Sequence, residues 1–214
     1  MNSGPSPAEP RPFTTLRRFV RERTPAERCE LCNAPLRSEH QHLLEPLRRQ
    51  LLCACEPCAI LFNTQGETRY KRVPRRLQYL PDFRMTDAQW DGLMIPINVA
   101  FFFESSPTGK VLALYPSPAG ATESLLSLEA WGELKKENPI LRELEPDVEA
   151  LLVYRLGETR DYYRVPIDQC YKLVGLIRTN WRGLSGGREV WRGIAAFFAG
   201  LKERSSPRGK QIHA

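Results

Sequence analysis

A chain of 214 residues, 42% hydrophobic and 26% charged, with a formal net charge of +6, is long enough for one core of ordinary domain size plus a small satellite module. No apolar run approaches the roughly 18 residues needed to span a bilayer, and the opening MNSGPSPAEPRPF lacks the charged head and apolar stretch of a secretory signal, so a cytoplasmic protein is expected. The charge excess lies entirely in residues 1–80, with 14 Lys and Arg against 8 Asp and Glu. It is a weak argument for a nucleic-acid surface, since four thiolates around one divalent ion would remove about two of those charges.

Residues 1–13, rich in Pro and Ser, have too little apolar content to offset the entropy of ordering and are expected to be a disordered tail. Thr14 or Thr15 can cap a short helix through Arg23, with Leu16, Phe19 and Val20 on one face and Arg17, Arg18, Arg21 and Arg23 on the other. It opens a module predicted to occupy residues 14–80.

Five of the six cysteines crowd between Cys29 and Cys58, a clustering that favours metal over disulfides in a reducing compartment. CELC and CEPC form two Cys-x-x-Cys knuckles. Each presents two sulfurs to one ion while nearby backbone amides offset thiolate charge, so Cys29, Cys32, Cys55 and Cys58 together match the tetrahedron that zinc accepts. Iron is the rival, because a rubredoxin-type site uses the same four thiolates. Between the knuckles, His40-x-His42-LLEP and Gln50-Leu51-Leu52 read as the strands of a hairpin, which makes the module zinc-ribbon or treble-clef-like. Cys53 is a spare that could exchange with Cys55, and His40 with His42 are candidate alternate ligands, although histidines packed beside the module are the plainer reading. The run GETRYKRVPRRLQYLP, from Gly66 to Pro81, reads as a strand and an extended basic connection.

The remainder, 81–203, is predicted to be an α+β domain. Thr86 and Gln89 have the spacing of a capping box for a short helix around Trp90 and Leu93. Ile95–Glu104 and Lys110–Tyr115 are β-branched and aromatic runs joined by a turn-like SSPTG. Ser127 can cap a helix over Leu128 to about Glu137. Val148–Leu156 and Asp161–Val165 form a second hairpin about Gly157, for an antiparallel sheet of about four strands. From Asp168, the residues Cys170, Leu173, Val174, Ile177 and Trp181 recur at helical spacing, which makes Cys170 a core residue. After the Gly183–Gly187 turn, Val190, Ile194, Phe197, Phe198 and Leu201 repeat the pattern, giving a C-terminal helix pair to cover the sheet. Residues 204–214 read as a second disordered tail.

The combination CELC, HxHLLEP, LLCACEPC, PDFRMTDAQWDGLMIPI, LYPSPAGATES and CYKLVGLIRTNWRGLSGGREVW resembles a bacterial family of unknown function over about residues 28–203. The resemblance implies a role in assembling or serving a nickel-iron hydrogenase, since members of that family are similar in lying beside such genes and their maturation factors. It implies no catalytic residues.

No phosphate loop, dinucleotide fingerprint, nucleophile elbow or His-Glu-x-x-His motif is present, and only His40, His42 and His213 are available as histidine bases. The expectation is therefore a non-enzymatic accessory protein that binds a protein partner, such as a hydrogenase subunit or maturation factor. An iron electron-transfer protein and a nucleic-acid-binding zinc-ribbon protein are the alternatives. For the last, Arg69 to Arg76 would contact phosphates and Tyr70 would stack on a base. Treble-clef nucleases need another histidine after the last knuckle, whereas Ala59-Ile60-Leu61-Phe62 follows Cys58. Gly120, Thr122, Glu123 and Ser124 of PSPAGATES are a candidate polar binding loop, although such residues more often make turns and caps.

Overall fold

The computed structural model describes residues 27–62, 69–124, 128–183 and 186–207. The predicted tail 1–13, the basic helix to Arg23, the Ser127 cap, His213 and the end of the second tail lie outside the described residues.

Two antiparallel sheets organise the chain. The smaller is the hairpin β1 (Gln41–Glu45) and β2 (Gln50–Ala54), extended by β3 (Lys71–Arg72), which pairs with β1. The helix α1 (Glu56–Leu61) follows β2 directly, with Cys55 as its N-cap residue. Alternation along the hairpin splits its side chains between two cores. Leu43, Leu52 and Ala54 pack with Cys29, Cys58 and Ala59, whereas Leu44 and Leu51, paired across the ladder, join the core of the larger sheet.

The larger sheet contains β4 (Gln78–Tyr79), β5 (Val99–Ser105), β6 (Lys110–Ser117), β7 (Gly120–Ser124), β8 (Glu149–Tyr154), β9 (Asp161–Pro166) and β10 (Ser206–Pro207). Its order is β10-β4-β9-β8-β5-β6-β7. Six strands form an antiparallel ladder, and β10 adds a two-residue parallel pairing at the edge. The expected count of about four is therefore corrected. The two predicted hairpins are its centre. Three outer strands leave little trace in the sequence, because β4 and β10 are too short to show alternation and β7 (GATES) is polar throughout. The residues read as a polar binding loop are thus an edge strand, with Thr122 paired to Tyr115. Ser206–Pro207, expected to be part of a disordered tail, pairs with β4 instead.

The helix cover also differs from a lone C-terminal pair on one face. On one side of the sheet, α4 (Ile167–Asn180) and α5 (Gly187–Arg204) bury Cys170, Leu173, Ile177, Val190, Ile194 and Phe198 against Phe101, Leu152 and Tyr163. On the other, α2 (Asp87–Gly92), α3 (Leu128–Glu137) and a 3-10 turn at Pro139–Arg142 close a second core of Trp90, Trp131, Leu134 and Ile140 against Phe102, Leu151 and Val153. A sheet buried on both faces reads as continuous apolar runs, the pattern of VAFFF and ALLVY. The capping box is formed: the Thr86 hydroxyl accepts from the Gln89 amide at 3.1 Å and the Gln89 side chain accepts from the Thr86 amide at 2.8 Å. No helix among the described residues is long and apolar enough to cross a membrane.

Candidate metal centre

The first knuckle is a tight turn closed by two backbone hydrogen bonds. The Cys29 amide donates to Ala34 O at 2.8 Å and the Asn33 amide to Cys29 O at 2.7 Å. Asn33 takes the left-handed conformation at φ 63, which Asn tolerates better than most residues. The second knuckle is the start of α1, where the Ala59 amide donates to Cys55 O at 2.9 Å. The Glu30 amide binds Cys53 O at 2.9 Å, tying the first knuckle to the end of β2.

The sulfurs of Cys29, Cys32, Cys55 and Cys58 all lie within 4.8 Å of one another, and the Cys32 and Cys55 sulfurs are 3.6 Å apart. Ligands at about 2.3 Å from a tetrahedral zinc stand about 3.8 Å from each other, so the donor set fits one such ion. Burial pushes the Cys29 thiol up, but backbone N–H groups of Cys55, Cys32 and Leu31 aimed at its sulfur outweigh burial and bring it down to about 6. Burial, followed by contact with the other three thiols, pushes Cys58 up. At Cys32 the Ala34 amide lowers the thiol, while Cys29 and Cys55 raise it to a net upward shift. The cluster thus combines one readily ionised thiol with two that resist ionisation, a resistance that a bound cation would relieve.

The structure separates the three residues read as alternate ligands from this centre. Cys53 stands opposite His42 in the β1–β2 ladder, and one ligand atom each from His40, His42 and Cys53 lie within 4.8 Å of one another. This group is distinct from the four thiols, because Cys53 alternates with Leu52 and Ala54, which face the four-cysteine core. Burial, then the charges of Glu30, Glu27 and Cys29, raise the Cys53 thiol. His42 Nδ1 is 2.8 Å from Asp168 Oδ2, at the start of α4. Asp168 had been read only as opening a helix, and 126 residues separate the pair.

Three of the five cations of the basic run are paired within the fold, while Arg75 and Arg76 are exposed. Arg69 Nε donates to Glu45 at 3.0 Å, Lys71 Nζ to Asp147 at 2.7 Å and Arg72 to Glu56 at 2.6 Å. Cys170 is fully buried, and burial pushes its thiol well up.

No curated protein and no solved structure matches the chain. The model of DUF5947, a family of unknown function, matches residues 28–205, from the first knuckle through the last helix, and the chain belongs to that family.

Proposed function

We propose that this chain is a non-enzymatic accessory protein whose four-cysteine module holds one structural zinc ion in a treble-clef-like arrangement and presents a surface to a protein partner. The observation that carries the reading is the convergence of four thiols from two knuckles, set in a module whose own apolar core is small. Ligation in such modules supplies folding free energy on the order of 10 kcal/mol. A zinc-loaded site of free thiols belongs in the reducing cytoplasm. Support for a partner comes from α1, which leaves Ile60 and Leu61 59% and 64% exposed beside Phe62. Apolar side chains grouped at a surface suit protein contact. The partner named here, a nickel-iron hydrogenase subunit or maturation factor, rests on the sequence resemblance. Nucleic-acid binding is less well supported, because Arg69, Lys71 and Arg72 already face carboxylates and leave Arg75 and Arg76 as the exposed cations of the run.

The test is the metal content and visible spectrum of protein purified without added metal. Each of Cys29→Ser, Cys32→Ser, Cys55→Ser and Cys58→Ser is expected to lose one equivalent of zinc relative to the parent chain. Iron with thiolate charge-transfer bands would replace the zinc reading by electron transfer, and an unchanged metal content in all four variants would sink both. The partner is tested by titrating purified hydrogenase subunits and maturation factors with the parent chain and Ile60→Asp. Binding that the substitution weakens at least tenfold is expected, and no binding to any of them rejects the hydrogenase role.

A further inference from the structure

His40 is an anomaly of the fold. Its side chain is only 8% exposed, its Nδ1 lies 3.0 Å from Arg37 O, and its Nε2 is buried without a hydrogen-bond partner among the described residues. A backbone carbonyl can only accept, so Nδ1 carries the proton, and in the neutral tautomer Nε2 is a lone pair shut away from solvent. Leaving a buried acceptor unsatisfied is unfavourable. His42 is arranged alike: its Nδ1 faces the Asp168 carboxylate at 2.8 Å, and in the neutral tautomer that proton donor leaves Nε2 as the open lone pair.

The surroundings favour a cation. A carboxylate bonded to the far nitrogen of a histidine is the usual outer support of a metal-bound imidazole. The two rings are edge to face with centroids 4.8 Å apart, and Cys53 is the residue directly across the ladder from His42. Two carboxylates add negative charge: Glu27 Oε2 is 3.5 Å from His40 Nδ1, and Glu30 Oε2 accepts from the Cys53 amide at 2.5 Å.

We infer that His40, His42 and Cys53 are the protein ligands of a second metal site, on the opposite face of the hairpin from the four-cysteine centre, for a divalent ion of borderline softness such as zinc. Two imidazoles and a thiolate suit that class of ion. Three protein ligands leave the fourth position to water or to an incoming group, as in zinc sites that do more than hold a fold. The same three residues with Asp168 also have the composition of a cysteine–histidine–aspartate nucleophile. One feature favours the cation: the second imidazole, with its orphaned lone pair, has no part in such a triad.

The site stands independently of the four-cysteine reading, and equilibrium dialysis of the full chain against buffered zinc separates them. The parent chain is expected to bind two equivalents. His42→Gln and Cys53→Ser should each bind one, as should Cys29→Ser, which empties the other centre. Asp168→Asn should keep both sites and weaken only the second, about 10–100-fold. Cobalt supplies a reading that does not depend on the variants, because the second ion must show charge transfer from one thiolate and the first from four. The inference is overturned by a single equivalent that His42→Gln and Cys53→Ser leave untouched, by a second equivalent that survives both, or by Cys53 alkylation at a rate that zinc does not slow.

Discussion

Arg164 on β9 and Glu149 on β8 are diagonal neighbours in the ladder, with side chains 5% and 2% exposed. The guanidinium donates from Nε to Glu149 Oε1 at 2.9 Å and from its second arm to Glu149 Oε2 and to Glu143 O. Glu149 Oε2 also accepts from the Glu145 amide at 2.9 Å. Both carboxylate oxygens and two of the three guanidinium nitrogens are hydrogen-bonded, so removing one partner strands a charge rather than deleting a contact. Glu149→Ala is expected to destabilise the fold by about 3–5 kcal/mol in denaturant unfolding, and a loss under 1 kcal/mol would show that water reaches Arg164. Neither residue stands out in the sequence, where both look like outward positions on strands. The cysteine knuckles were legible because their geometry is settled within four residues. The Asp168–His42 contact was not, because it depends on how α4 docks against the hairpin.

Elements were read well where one periodicity dominated. The central hairpins and the apolar stripe of α4 follow from short-range pattern, and the capping box at Thr86 forms as its spacing required. Polar edge strands escaped notice because pairing there is set by neighbours: β7 is held by its ladder to β6 and by Ser124 Oγ donating to Met94 O at 3.0 Å. The turn between α4 and α5 gives a testable case of backbone demand. Gly186 adopts φ +83, and a Cβ added there would meet Val190 Cγ1 at 2.7 Å and the Trp181 ring at 3.1 Å. Gly109 has φ +62 with nothing within 4 Å. Gly109→Ala should therefore cost only the left-handed penalty of about 1–2 kcal/mol. Gly186→Ala must add displacement of Val190 from the core and should lower the denaturant midpoint further. Equal midpoints for the two variants would mean that the helix pair shifts freely to admit the methyl.

At the scale of the whole molecule, the hairpin is fastened to the larger domain by one face while its other face depends on the four-cysteine centre. Leu44 and Val73 belong to the larger core, and Lys71 reaches the buried Asp147, which also accepts from the Ser106 amide at 2.9 Å. The face towards the four thiols offers two leucines and small alanines. Burying two leucines contributes about 3–6 kcal/mol, less than the order of 10 kcal/mol that ligation supplies. Metal removal should therefore unfold the knuckles without unfolding the chain. After chelation, hydrogen exchange is expected to accelerate first at the amides of Cys29, Asn33 and Ala59, next in β1 and β2, and not in β5 and β8, whose two-sided burial is independent of the ion. The graded order is the discriminating feature: uniform acceleration across β5 and β8 would make the centre a keystone of the entire fold, and unchanged protection at the knuckles would show that the four cysteines hold their positions by packing alone.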